Sequence, residues 1–181
     1  MKDLMIDLET LGSSNDAVIV QIGACYFDRH TAEIGNTFKQ NIDINSCLRE
    51  GFAVDGDTIK WWMTEQINQV TFYGDTVLIK PAIASFIEFS NKADKVWSHA
   101  TFDFCIMMEY IHRFGMKPKF HYRSARDIRT LIDMAEMWDD VYKNKDTRTG
   151  WHDALEDCKY QVEYCVKAMQ KINAGIHKNV G

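Results

Sequence analysis

Residues 4–9 read LMIDLE, and their pattern predicts the β-strand around which the fold is organised. Leu4, Ile6 and Leu8 share one face because side chains alternate along a strand, and Asp7 and Glu9 share the other face. Neighbouring carboxylates on a half-buried strand repel each other and lose hydration, and a divalent cation with oxygen ligands removes that cost. The alternative is the polar face of an edge strand, and the pair by itself does not decide between the two.

Further elements are predicted on the carboxyl side of this segment. An apolar run over residues 18–27 and a segment with mixed faces over residues 36–42, separated by a turn over residues 28–35, predict two more strands that form an antiparallel meander with the first. Residues 95–98 predict a short fourth strand. Helical spacing and end signals predict helices over residues 58–66, 82–89, 102–114, 127–138 and 153–172. This order predicts an α/β (α+β) domain with a mixed central β-sheet flanked by helices.

Composition predicts one globular domain over residues 1–181. Hydrophobic residues make up 46% of the chain, and five tryptophans and ten phenylalanines are not typical of disorder. A formal net charge of −5 disfavours a protein that wraps duplex DNA broadly. The charge is compatible with a metal site, because bound cations reverse the sign locally.

Cysteine usage and hydropathy predict the compartment. No CxxC pair is present, which disfavours a zinc ribbon or a redox motif. The odd number and dispersed placement of the cysteines indicate reduced thiols. Neither a signal pattern nor an apolar run of membrane-spanning length is found, so we expect a cytoplasmic protein with no membrane partner. The five cysteines are Cys25, Cys47, Cys105, Cys158 and Cys165.

Asp103 is the third candidate acid. It lies at the start of a predicted helix, directly after the short fourth strand. A first-turn acid that complements the helix dipole is the common alternative. The preceding run of small polar residues followed by Phe102 is typical of a place where backbone and ligand approach closely.

His152 and Asp157 are a candidate base and a fourth acid. They are five residues apart, so they do not share a helical face. His152 precedes the predicted cap Asp153 and belongs to a loop, whereas Asp157 lies about one turn inside the helix. A mobile histidine beside a fixed carboxylate suits a general base near a metal ligand. The alternative is an exposed loop histidine and a solvated acid. Four carboxylates and one base are what a two-metal site requires.

Together these motifs resemble a known superfamily. Asp7-Leu8-Glu9-Thr10, then Phe102-Asp103, then HDALED over residues 152–157 are similar to the DEDDh (DnaQ-like) 3′–5′ exonucleases, which have the ribonuclease H-like fold. The similarity runs from residue 5 to about residue 161. Residues 19–24, the Trp61-Trp62 pair and residues 127–131 are similar to the small phage and bacterial 3′–5′ exoribonucleases and to oligoribonuclease.

The resemblance implies a role for each matching residue. Two Mg²⁺ or Mn²⁺ ions would be held by Asp7, Glu9, Asp103 and Asp157. His152 would deprotonate the attacking water, and nucleoside 5′-monophosphates would be released from single-stranded or short RNA or DNA. The terminal nucleotide would contact Thr10, Leu11, His99 and Phe102. Many relatives carry Asn-Gly or Asn-Ala shortly before Phe-Asp, where this chain has residues 98–101 (SHAT), so the nucleotide contacts depart from the pattern. Relatives are often homodimers.

For several residues the sequence leaves two interpretations open. Trp61 and Trp62 face about 100° apart on a helix, so we expect one in the core and favour base stacking for Trp61. The basic groups are either phosphate contacts or solvated and structural side chains. They are Lys143, Lys145 and Arg148, and Arg123, Arg126 and Arg129.

Other functions compatible with the pattern are a non-catalytic nucleic-acid-binding module and a small-molecule phosphodiesterase. Discrimination between RNA and DNA rests on a 2′-hydroxyl contact, which the sequence does not identify.

Overall fold

The computed structural model describes residues 1–64, 72, 74–143 and 152–178, and of residues 142, 143 and 176–178 it describes the backbone. Within these residues the chain forms a five-stranded mixed sheet with the order β3-β2-β1-β4-β5. β1 pairs antiparallel with β2 and parallel with β4, β2 pairs antiparallel with β3, and β4 pairs parallel with β5. The strands are β1 (Asp3–Thr10), β2 (Ile19–Phe27), β3 (Ile34–Asn41), β4 (Lys95–Ser98) and β5 (Ala125–Asp127). The predicted mixed sheet and its antiparallel meander are confirmed.

β1 is the central strand, and all eight of its residues are buried. The edge-strand alternative for LMIDLE is therefore wrong. The strand is covered on both faces, which is more burial than the expected half-buried strand. Asp7 and Glu9 consequently lie inside the protein and not on a solvated face.

Helices cover both faces of the sheet. Leu4, Ile6 and Leu8 pack into one core with apolar residues of α3 and α4. Met5 and Cys25 pack into a second core with residues of α5 and α7. The helices are α1 (Ile44–Arg49), α2 (Gly56–Thr64), α3 (Ile79–Phe89), α4 (Cys105–Arg113), α5 (Ile128–Met134), α6 (Trp138–Lys143) and α7 (Ala154–Lys178). Among the described helices, none combines the length and apolar character of a membrane span.

Several predicted boundaries are wrong. The helix predicted over residues 127–138 is divided, because Asp127 ends β5 and caps α5 by accepting the N–H of Thr130 at 2.9 Å. Glu136, with a φ of 50°, then separates α5 from α6. The helix predicted over residues 102–114 begins as a π-helical turn, Ala100–Phe104, and α1 was not predicted. The predicted cap is confirmed, since the Asp153 carboxylate accepts the N–H of Leu155.

Candidate active site

Three elements bring the four predicted acids to the carboxyl end of β1. Asp7 and Glu9 lie on β1, Asp103 lies in the π-helical turn after β4, and Asp157 lies in the first turn of α7. Asp7, Glu9 and Asp103 are 8%, 7% and 1% exposed, respectively. These acids are therefore shielded from water and close to one another.

The side chains that offer metal ligands form two groups. Within each group, one ligand atom per residue lies within 4.8 Å of the corresponding atoms of the other two residues. The groups are Asp7, His99 and Asp103, and Glu9, His152 and Asp157. All five residues predicted for catalysis thus lie in these groups. The sixth member, His99, was predicted only as a pocket residue.

Asp103 is held against β1 by its own carboxylate. One oxygen accepts the backbone N–H of Leu8 at 3.2 Å, and the other accepts the N–H of His99 at 3.0 Å. The pairing of β1 with β4 stops at Met5 and Trp97, so the Leu8 N–H lies beyond the last paired residues. Asp103 is thus a buried link between β1 and the end of β4, which is more than the first-turn acid complementing a helix dipole that was the alternative.

Gln161 on α7 is a site residue that the sequence analysis missed. Its Nε2 donates a hydrogen bond to Oδ1 of Asp7 at 2.6 Å, and the contact is buried. Gln161 follows Asp157 by four residues, so both lie on the same helical face. That spacing was the available signal, but periodicity does not show which strand an inward-facing amide will meet.

The start of α7 is fixed against β2 by backbone contact. Gly23 makes this approach possible, because a Cβ at that position would lie 2.2 Å from the carbonyl carbon of Ala154. The Ala154 N–H also donates to Oε1 of Gln21 at 2.6 Å. Lys39 forms an ion pair with Asp153 beside it. These contacts place Asp157 next to Glu9.

His152 lies against two aromatic rings of α2. Its backbone has a φ of 60°, and its ring centroid is 4.7 Å from that of Trp61 and 5.3 Å from that of Trp62. Trp62 is partly buried against the core, and its indole N–H donates to the carbonyl of Thr10 at 2.9 Å. Trp61 is 41% exposed. One ring of the pair is exposed as expected, whereas the other packs against the core and is only partly buried.

Burial and mutual repulsion shift the proton affinities of the acids. The pKa of Asp7 is raised well above its ordinary value by burial first and then by Asp103 and Glu9. Burial followed by the charge of Asp157 likewise raises the pKa of Glu9 well above its ordinary value. Burial raises the pKa of Asp103 to about 7, although three backbone N–H donors, those of Leu8, His99 and Asp103 itself, oppose this shift. A bound cation would relieve this repulsion.

The predicted nucleotide contacts lie around the same end of β1. Thr10 and Leu11 are buried, and the Thr10 hydroxyl donates to the carbonyl of Gly12 at 2.6 Å. Phe102 is partly buried against the first core. Burial, followed by the charge of Arg129, lowers the pKa of His99 to about 4, so its imidazole is neutral near pH 7.

The two basic groups differ in how much of each the structure describes. Arg126 donates to the backbone carbonyls of Arg123 and Ala125 at 2.9 and 2.7 Å, which is a structural role. Lys145 and Arg148 lie outside the described residues, and Lys143 is described only as the last residue of α6.

Comparison with known proteins gives a family match and several structural neighbours. The sequence model of the 3′-5′ exoribonuclease Rv2179c-like domain matches residues 2–169. No curated protein matches the chain.

Three solved structures illustrate the shared fold. Exonuclease X in complex with 5′ overhanging duplex DNA has a TM-score of 0.54 and 14% identity, over 93% of this chain and 91% of that one. E. coli exonuclease I in complex with a dA16 oligonucleotide has a TM-score of 0.59 and 16% identity, over 90% of this chain but 39% of that one. A full-length 3′-exonuclease has a TM-score of 0.50 and 15% identity, over 93% of this chain and 81% of that one. At such identities these neighbours establish the fold.

Proposed function

The chain belongs to the 3′-5′ exoribonuclease Rv2179c-like domain family, and from that premise we propose that it shortens single-stranded or short nucleic acid by two-metal hydrolysis. The resemblance to DEDDh exonucleases is confirmed, and the protein is a 3′–5′ exonuclease that acts on nucleic acid. The proposal extends this activity to the metals, the residues and the form of the substrate, within one domain over residues 1–181.

The observation that carries the proposal is the pair of ligand groups at the end of β1. The ligand atoms come from elements far apart in sequence. Within each group, however, these atoms lie within 4.8 Å of one another. Four carboxylates supply the oxygen atoms that Mg²⁺ and Mn²⁺ prefer. The raised pKa values of Asp7, Glu9 and Asp103 also fit, because divalent cations would offset the repulsion among these acids.

Each acid has a proposed role. Asp7 and Asp103 would hold one ion, Glu9 and Asp157 the other, and Gln161 would orient Asp7 through its 2.6 Å hydrogen bond. When bound, a pair of such ions polarises a phosphodiester and stabilises the attacking and leaving oxygens.

His152 is the proposed general base. It lies in the group of Glu9 and Asp157, and it is partly exposed, so a water molecule can reach it. The imidazole would take a proton from the attacking water and release it to solvent. The products are nucleoside 5′-monophosphates.

The terminal nucleotide is proposed to contact Thr10, Leu11, Trp61, His99 and Phe102. Trp61 is suited to stacking because its ring is 41% exposed beside His152. Stacking of one base on an aromatic side chain contributes about 1–3 kcal/mol. The exonuclease I neighbours hold dA16 and dT13 oligonucleotides, which supports a single-stranded substrate here.

A 5′-labelled oligonucleotide ladder tests the proposal. RNA and DNA of the same sequence are incubated side by side with Mn²⁺, with Mg²⁺ and with EDTA. The expected result is metal-dependent stepwise shortening from the 3′ end. Whichever of the RNA and DNA oligonucleotides is shortened faster identifies the preferred sugar. Retention of the oligonucleotide without cleavage indicates a binding module. Turnover of dinucleotides alone indicates a small-molecule phosphodiesterase. Either outcome contradicts the proposal.

A further inference from the structure

His99 has its imidazole inside a group of carboxylate oxygens. One nitrogen of His99 and one oxygen of each of Asp7 and Asp103 lie within 4.8 Å of one another. The His99 Nδ1 lies 3.7 Å from Oδ2 of Asp103, which is too long for a hydrogen bond. Two atoms that bind one ion at about 2.1 Å each are at most about 4.2 Å apart. The 3.7 Å separation of these two atoms therefore allows both to bind one ion.

The backbone fixes this arrangement. The His99 N–H donates to the Asp103 carboxylate at 3.0 Å, and the His99 carbonyl accepts the N–H of Phe102 at 2.7 Å and of Asp103 at 3.1 Å. His99 directly follows β4, and its side chain is 25% exposed. The His99 backbone and the Asp103 carboxylate are thus held together at the end of the sheet, and the ring of His99 lies beside this carboxylate.

We propose that the His99 imidazole is a ligand of the ion held by Asp7 and Asp103. This inference rests on the proposed function, since it adds a nitrogen donor to one of the two metal positions. Imidazole nitrogen binds Mn²⁺, Co²⁺ and Zn²⁺ more readily than Mg²⁺, which prefers oxygen and bound water. The chain is therefore tuned toward transition metals at this position.

Pulsed electron paramagnetic resonance of the Mn²⁺-loaded protein reads the ligand directly. The native protein is expected to show hyperfine coupling from an imidazole ¹⁴N. H99N and H99Q are expected to lose it. H152Q is the matched control, because His152 is the imidazole of the other ligand group, and it is expected to retain the coupling. Bound Mn²⁺ without ¹⁴N coupling, or a coupling that disappears in H152Q and persists in H99N, overturns the proposal.

Calorimetric titration with each ion adds a second readout. H99N is expected to weaken Mn²⁺ binding about tenfold or more, with a smaller change for Mg²⁺. Equal changes for both ions contradict the assignment. Circular dichroism of each variant verifies that it is folded. If neither His99 variant folds, the native and H152Q spectra together still test the proposal.

The failure of this inference is distinguishable from that of the proposed function. Native protein that binds Mn²⁺ and shortens oligonucleotides, but shows no ¹⁴N coupling, removes His99 from the ligand set and leaves the exonuclease assignment intact. Native protein that binds neither Mn²⁺ nor Mg²⁺ overturns both.

Discussion

At the level of single residues, the buried acids are costly in the metal-free protein. Asp103 is 1% exposed, and Asp7 is 8% exposed beside it. A buried charge next to a like charge destabilises the fold unless a cation or a proton compensates it. Gln161 and the Leu8 N–H each contribute one neutral donor, which offsets only part of this cost. The same residues should therefore lower stability and support catalysis.

Asp7→Ala is expected to separate these two effects. It removes a proposed metal ligand, so the transition state is expected to lose several kcal/mol of charge stabilisation. Such a loss corresponds to a fall in kcat of about a thousandfold or more. It also removes one repelling charge, so the melting temperature in EDTA should stay the same or rise. Oligonucleotide shortening measures kcat, and thermal unfolding measures the melting temperature. Asp94→Ala, at an exposed acid paired with Lys2, is the control. Substantial activity in Asp7→Ala with metal present contradicts the two-metal assignment.

His152→Ala tests the division between base and ligand. Loss of a general base lowers kcat by about 10²–10⁴-fold, and binding of Mn²⁺ should change far less. Steady-state kinetics and calorimetric titration on the same preparation supply both quantities. If Mn²⁺ affinity falls together with kcat, His152 joins Glu9 and Asp157 as a metal ligand, which their shared group would permit.

The residues proposed for catalysis could be singled out from the sequence, and their supporting contacts could not. Asp7, Glu9, Asp103, His152 and Asp157 follow from motif order and spacing, and the structure places them in two ligand groups. The Gln161–Asp7 hydrogen bond joins residues 154 apart, and nothing local to Gln161 identifies its partner. The metal-ligating role proposed for His99 likewise depends on tertiary structure, because the position of the end of β4 determines where His99 lies.

At the level of secondary structure, local pattern identified strands but not their surroundings. The alternation in LMIDLE predicted which residues share a face of β1. It did not predict burial of both faces, because α7, which begins at Ala154, covers the second one. β5 was missed because it has three residues and runs directly into α5, so helical spacing dominates that stretch.

Trp62→Phe tests how α2 is held over the site. The variant keeps an aromatic ring near His152 but loses the indole N–H donated to the Thr10 carbonyl. One such hydrogen bond contributes about 0.5–1.5 kcal/mol, so kcat should fall about two- to tenfold while KM changes little.

Trp61→Ala is the matched variant on the same helix. It removes the exposed ring proposed for base stacking, so KM should rise and kcat should change less. Steady-state kinetics on one oligonucleotide compare the two variants. If both change the same parameter to the same extent, the two rings do not have separate roles.

Gly23→Ala tests the contact between β2 and α7. The added methyl group would overlap the Ala154 backbone, since its carbon would lie 2.2 Å from the Ala154 carbonyl carbon. Overpacking of this kind typically costs about 1–3 kcal/mol of unfolding free energy, and a rigid backbone neighbour favours the upper end. Chemical denaturation measures the loss. Gly51→Ala introduces a Cβ that meets nothing within 4 Å, although its φ of +81° adds backbone strain. Gly23→Ala that unfolds no more readily than Gly51→Ala contradicts the close approach.

At the level of the whole molecule, net charge and site chemistry act together. The chain carries a formal charge of −5, so it does not attract a polyanionic substrate at long range. Attraction is expected to arise locally, where cations bound by the carboxylates reverse the sign of the surface. We therefore expect substrate binding to require metal.

The same acids couple global stability to pH. Folding raises the pKa of Asp7, Glu9 and Asp103, so the metal-free native state binds more protons than the unfolded chain above the ordinary pKa values of these acids, and for Asp103 up to about pH 7. The free energy of unfolding then falls as pH rises through this window, by at most about 1.4 kcal/mol per pH unit for each proton. His99 opposes this trend, because its lowered pKa makes the native state bind fewer protons below about pH 6.5. Because three carboxyl groups oppose one imidazole, the net free energy of unfolding is expected to fall as pH rises.

The melting temperature in EDTA is consequently expected to rise as pH is lowered from 7.5 to 5.5. Each kcal/mol corresponds to about 2–4 °C for a chain of this size. Mn²⁺ should raise the melting temperature most at pH 7.5, where the acids are most ionised, and so flatten its pH dependence. Asp103→Asn should reduce the slope in EDTA, because it removes the acid whose pKa is about 7. A melting temperature in EDTA that is constant or falls over this range would show that the acids do not repel one another in solution as their burial implies.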